Sequence, residues 1–415
     1  MKIVRHFGHP AGPEARFRKS TALAGLLGLL TLGACGGQPD TPVSATTPGA
    51  PTVQAVAFDQ AVLDAANAVL ASAPVSGPRQ VVVIDPLVDG VTGEQTAATQ
   101  AIGARIVALA RERYPQFDIQ PFSPQAVSRA PYVMVGTFTP VNAQGQTAGN
   151  REAFRFCLVM ADLRTGKTVA KGVARARMEG VDSTPTGFFR DSPAWTEDAL
   201  VKGYINTCQA TKVGDPISPV YLDGISTAAM IAEATAAYNA GRYRDAAELY
   251  AKARGAPAGS QLRVYNGLYL ANWKLGRQPQ AAAAFGEAVA HGLTNNRLGV
   301  KFLFQPGATS LESGGAASPP YAMWLQQIAG QSARRGACLE VTGNASKSGF
   351  AAVNERLSQL RAEYVKGRLE ANAPTLAGQV IAHGVGSQAN LIGTGTDDVT
   401  DALDRRVEFK VLPAC

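Results

Sequence analysis

Apolar positions along this chain switch several times between a helical period and the alternating or continuous pattern of strands, and the switches mark its elements. Phe58, Val62, Ala65 and Val69 follow helical spacing until Pro74 and Gly77-Pro78 stop it. Gln80-Val81-Val82-Val83-Ile84-Asp85 is a short β-branched run and predicts a buried strand. Thr96 to Arg113 returns to helical spacing, with Ile102, Ile106, Val107 and Leu109 on one face. Tyr132 to Phe138 predicts another strand. Phe154 to Ala161 and Thr168 to Met178 then flank the turn-forming Asp162-Leu163-Arg164-Thr165-Gly166-Lys167, which predicts a hairpin. This α/β pattern ends near Pro219.

Residues 226–292 repeat themselves. Gly241, Ala246, Tyr250 and Ala253 recur as Gly276, Ala281, Phe285 and Ala288, each offset by 35. Small residues let two antiparallel helices approach closely, and the aromatic fills the space between neighbouring pairs. Two copies are fewer than a free-standing solenoid needs, so they are expected to pack against the flanking segments, as a spacer or as a short peptide groove. Beyond them, Val300 to Phe304 predicts a strand. Pro319-Pro320 after Ser318 predicts a helix start, with Tyr321, Trp324, Leu325 and Ile328 inward. Cys338 to Gly343 predicts a strand, and Val353 to Leu369 a helix with Val353, Leu357, Leu360 and Tyr364 inward. Gln379 to His383 and Arg406 to Leu412 predict the last two strands.

The first 35 residues carry a different pattern. Lys2, Arg5, Arg16, Arg18 and Lys19 precede a 12-residue apolar run, Thr21 to Leu32, that closes on Leu32-Gly33-Ala34-Cys35. Twelve residues are too few to cross a hydrocarbon core of roughly 30 Å, so the run reads as an export signal. No other apolar stretch reaches spanning length. The signal holds five of the 39 basic residues and one of the 32 acidic ones, which leaves 34 − 31 = +3 for the remaining 380. That charge is too small and diffuse to argue for a nucleic-acid partner. Only His291 and His383 lie beyond the signal, which disfavours a histidine metal site or a Ser/His hydrolase. Residues 36–57, rich in Gly, Pro, Thr and Ala, read as a flexible tether.

Cys157, Cys208, Cys338 and Cys415 allow three pairings in an oxidising compartment. One bridge in each folded part, Cys157–Cys208 and Cys338–Cys415, is the expectation, and buried free thiols are the alternative. Asp85, Asp89 and Glu94 have no spacing that fits an oxygen-ligand loop and read as solvated acids. Gly393-Thr394-Gly395-Thr396 lacks the Gly-Lys-Ser/Thr ending of a phosphate loop and reads as plain loop.

Three resemblances follow from these residues. Leu32 to Cys35 resembles the lipobox of bacterial lipoproteins, which implies cleavage before Cys35 and a lipid on that cysteine as the one covalent group, with no other cofactor. Gly36 after it, rather than Asp, implies the inner leaflet of the outer membrane. Residues 58–220 resemble the small domain of curli-export and penicillin-binding-protein-activator lipoproteins. Both have a strand ending in an acid (Asp85), an aromatic-Val-x-x-Gly strand (Tyr132 to Gly136) and a hairpin around Asp162-x-x-Thr165-Gly166. The spacing of residues 226–296 resembles the tetratricopeptide repeat.

Residues 299–415 resemble the OmpA-like peptidoglycan-binding domain, and four motifs carry the likeness. They are Gly343-Asn344-Ala345-Ser346, Asn354-x-x-Leu357-Ser358-x-x-Arg361-Ala362, Gly384-Val385-Gly386-Ser387 and Asp404-Arg405-Arg406-Val407-Glu408-Phe409. The resemblance implies a peptidoglycan site of Ser346, Asn354, Leu357, Arg361 and Arg405. Its ligand would be the diaminopimelate of a wall stem peptide, which carries an ammonium and a carboxylate. Arg361 occupies the family position that grips the carboxylate. Ser346, fifteen residues earlier, stands where the family has the Asp that pairs with the ammonium, and loss of such a partner costs roughly 2–5 kcal/mol. Compensation from Asp397 or Asp398 and outright loss of wall affinity are the two ways forward. The expected whole is a multi-domain chain: an N-terminal α/β sandwich, a central pair of helical hairpins and a C-terminal OmpA-like βαβαββ domain. Its expected work is non-enzymatic, linking outer membrane to wall and presenting residues 58–296 to a periplasmic protein. The alternative is a secretion or envelope-assembly accessory.

Overall fold

The computed structural model describes residues 54–74, 79–304, 308–311, 320–396 and 398–415. Cys35, the apolar run before it and the tether through residue 53 lie outside them. The β-branched run is strand β1 (Gln80–Ile84), second in a five-stranded sheet with β2 (Phe117–Pro121), β3 (Tyr132–Val141), β4 (Ala153–Asp162) and β5 (Lys167–Arg177). The order is β2-β1-β3-β4-β5; β1 is parallel to β2 and β3, whereas β3, β4 and β5 form an antiparallel meander. Helices α1 (Phe58–Ser72) and α2 (Ala97–Arg113) cover one face around Phe138, Phe154 and Phe156. The other face packs on α3 (Pro124–Val127), α5 (Ala199–Gln209) and α6 (Pro219–Asn239), with α4 (Gly187–Asp191) between α3 and α5 in the chain. Every residue of β3 is buried, as expected of a strand covered on both faces. The predicted hairpin turn forms because Asp162 accepts the N–H groups of Arg164 (2.8 Å) and Thr165 (3.2 Å) and Gly166 takes φ +65°.

Helix α6 is followed by α7 (Tyr243–Arg254), α8 (Leu262–Lys274) and α9 (Gln278–Thr294). The positions that recur at 35 residues share environments. Gly241 and Gly276 sit in the turns at φ +74° and +72°, and Ala246, Tyr250, Ala253, Ala281, Phe285 and Ala288 are fully buried. At Gly267 a Cβ would lie 2.3 Å from the Tyr250 ring, so glycine sets the approach of α7 and α8.

The second sheet contains β7 (Leu298–Lys301), β8 (Cys338–Gly343), β9 (Val380–Gly384) and β10 (Arg406–Leu412), with helices α10 (Tyr321–Arg335) and α11 (Ala351–Asn372). With β6 (Ala194–Trp195) at one edge, its order is β6-β7-β10-β8-β9, with β8 and β9 parallel and the other pairs antiparallel. That edge strand comes from the α/β stretch, so the two parts share a sheet. The molecule is thus mixed α/β, with two mixed sheets. Disulfides join Cys157 to Cys208 and Cys338 to Cys415, the expected pairing. No helix of the described residues is long and apolar enough to cross a membrane.

Two expectations need correction. The strand predicted over Val300 to Phe304 is Leu298–Lys301, and Phe304 bridges to Leu311 instead. Helix α11 is rotated from its apolar reading. Val353 is 58% exposed and Leu357, Leu360 and Tyr364 are half-buried, while the buried face holds Asn354, Ser358, Arg361, Ala362, Val365 and Leu369. The polar residues that face inward are satisfied there by hydrogen bonds.

Candidate functional site

The loop after β8 and the first two turns of α11 build the site. At Gly343 a Cβ would lie 2.2 Å from the Ser358 carbonyl, so glycine lets the end of β8 run against α11. The loop is then fastened from the helix. Asn354 donates its amide to the carbonyls of Ser346 (3.2 Å) and Ser348 (2.8 Å). Ser358 accepts the Gly386 N–H (2.8 Å), and Ala345 donates its N–H to the Gly386 carbonyl (2.8 Å). The Gly384-to-Ser387 turn and the Gly343-to-Ser346 loop are therefore held side by side.

Ser346, Asn354 and Arg361 are all buried, at 6%, 7% and 5% exposure. The Ser346 hydroxyl lies 3.3 Å from that of Ser348. Arg361 is two helical turns beyond Asn354 on the same buried face. Its guanidinium stacks 4.8 Å above the Phe304 ring, and its Nε donates to the Ala308 carbonyl at 3.3 Å. Leu357 is half-buried beside this row. Arg405 donates to the Asp398 carbonyl (3.0 Å), so it ties down the last loop. Its neighbours are structural as well: Arg406 is buried against Glu408 (2.8 Å), and Asp404 accepts the N–H groups of Leu391, Ile392 and Gly393 at 2.7–2.9 Å. Asp398 accepts from Thr396 and Thr400 and shapes its own turn, and Asp397 lies outside the described residues. Gly393 to Thr396 is loop, with Thr394 bonded to Asp401.

The sequence reading missed two sets of neighbours. Phe304 and Ala308, in contact with Arg361, lie beyond the residues that carry the family motifs. The β3–β4 connection also reaches this end of the molecule: Lys347 donates to Asn150, and Arg151 donates to the Ile392 carbonyl at 3.3 Å.

The three acids read as solvated are instead buried, with Asp85, Asp89 and Glu94 only 6–8% exposed. Asp85 accepts the Tyr221 hydroxyl at 2.8 Å, and Asp89 caps the N–H groups of Val91 and Thr92 at 2.8 Å. Glu94 faces Lys301 of β7 at 3.9 Å, and Lys301 donates to the Phe189 carbonyl at 2.7 Å. Burial pushes both Asp85 and Glu94 up to about 7, against the pull of Tyr221 and Arg263 on the first and Lys301 on the second. These acids do not converge, and no cluster of His, Cys, Asp and Glu among the described residues is arranged to hold a metal.

No protein-family model matches the chain, and no curated protein is significantly similar to it. Among solved structures, the peptidoglycan-associated lipoprotein of Burkholderia pseudomallei is similar at 24% identity. That likeness covers 28% of this chain and 89% of the other, with a TM-score of 0.23. The cell wall anchor of the T6SS from Pseudomonas aeruginosa is similar at 24% identity over 28% of this chain and 80% of its own, TM-score 0.24. Escherichia coli LpoB is similar at 16% identity over 40% of this chain and 91% of its own, TM-score 0.22. Each likeness leaves most of this chain without a counterpart.

Proposed function

We propose that this chain is a non-enzymatic envelope scaffold. It is anchored in the outer membrane by a lipid on Cys35 and associates with peptidoglycan through the loop after β8 and the buried face of α11. The reading rests on one observation: Asn354 clamps the Ser346–Ser348 loop onto the helix that carries Arg361, in the motif order of the OmpA-like domains. In it, Arg361 meets the carboxylate of a diaminopimelate stem peptide and the clamped loop meets its ammonium. Residues 58–296, the α/β sandwich and the tetratricopeptide-like hairpins, present a surface to a periplasmic protein.

A specific observation favours the second reading, an accessory protein without wall affinity. Ser346 has no charge to offer an ammonium, and Arg361 stacks on Phe304 within the fold. Sedimentation with purified sacculi separates the two. Wall association requires that the full chain pellets and that Arg361→Ala releases it. A wild type left in the supernatant, with Ser346→Asp in the pellet, establishes the accessory reading.

A further inference from the structure

We propose that a cleft between α2 and α6 is a second binding site, which takes a short peptide by its amides and its free terminal carboxylate. The cleft is about 670 Å³, within the size range of small-ligand sites. It lies outside the carboxyl ends of the parallel strands β1 and β2, the crevice where open α/β sheets take ligands. Helix α2 forms one wall, and the half-buried Ala232 and exposed Ala236 of α6 form the other.

Three features point to an occupant. Gln95, buried to nine-tenths, lines the cleft together with the carboxamides of Gln100 and Gln120. Gly103 stands in the interior of α2, where glycine weakens a helix, and a Cβ added there meets nothing within 4 Å. Packing does not demand this glycine; its effect is to keep the wall open. Finally, among the described residues Arg111 is the only ionisable side chain of the lining, which contains no acid.

The chemistry of the lining selects the ligand class. Carboxamides such as Gln95 and Gln100 offer one donor side and one acceptor side, the complement of a peptide group. Arg111 supplies a fork for a carboxylate. A phosphate is poorly served, because the first N–H groups of α2 are already given to Thr184, Asp182 and Thr96. A sugar or base would find no aromatic face in the lining among the described residues. The site shares no residue with the Ser346–Arg361 loop, so sacculus sedimentation and this proposal stand or fall separately.

Calorimetric titration of the full chain with N-acetyl-Ala-Ala-Ala, as the free acid and as the C-terminal amide, tests it. The acid is expected to bind at least about tenfold more tightly than the amide. Arg111→Gln should erase that difference. Gly103→Phe on one wall and Ala236→Phe on the other should each abolish uptake with the thermal transition retained. Absence of binding to wild type at about 5 mM acid, equal affinity for acid and amide, or full uptake by a folded Gly103→Phe or Ala236→Phe protein would overturn it.

Discussion

Lys301 and Arg361 are two buried cations that are met in different ways. In the first, an acid from the α/β stretch faces a lysine of the second sheet at 3.9 Å, both nearly solvent-free. In the second, the arginine lies over an aromatic ring and against a carbonyl. A buried cation must find negative potential somewhere. At Lys301 an acid from a distant segment faces the cation and links two parts of the chain. At Arg361 the face of a π-system and a peptide dipole contribute.

The sharpest way to break this contrast is to remove Lys301. Measured at pH 9, above the Glu94 value, Lys301→Met leaves that carboxylate buried opposite an apolar chain and should cost about 3–5 kcal/mol, read as a lowered urea midpoint. Adding Glu94→Gln should return most of that loss, because no uncompensated charge remains. A double mutant no more stable than the single would show that packing, not charge, dominates.

Acidity gives the next largest effect. Asp85 and Glu94 have folded values near 7, above their unfolded values near 4, so the folded state holds protons the unfolded state releases. Their favourable contribution is complete at low pH and disappears as pH climbs through about 7. Between these limits each group should erode stability by up to about 1.4 kcal/mol per pH unit. Urea midpoints measured from pH 5 to 8 should fall, and Asp85→Asn should flatten its share of the slope.

The smallest effect is expected on the arginine side. Phe304→Leu keeps the apolar volume near Arg361 and removes the ring face, which should cost about 0.5–1 kcal/mol. A loss above about 3 kcal/mol would make Phe304 a core residue first and a cation partner second.

Legibility in the sequence followed the range of the forces involved. Helix α1, strands β1, β3, β4 and β5 and the turn at Asp162 were readable because spacing and turn chemistry are local. The environments of Gly241 and Gly276 were readable because repetition doubles the signal. Strand β6 was not, since two residues carry no period. The buried face of α11 was missed because hydrogen bonds, not apolarity, place Asn354 and Ser358 inward. Glu94 looked solvated because its partner, Lys301, arrives from a distant segment. In the candidate site, the motif residues were legible one by one, but the stacking of Arg361 on Phe304 depends on tertiary approach.

The two-residue strand at Ala194 has a practical consequence for anyone who cuts this molecule into pieces. A fragment that begins near Leu298 would bare the flank of β7 that Ala194 and Trp195 now occupy, an unpaired ladder inviting a second copy. Self-association of such a fragment would then belong to the scissors, not to the protein.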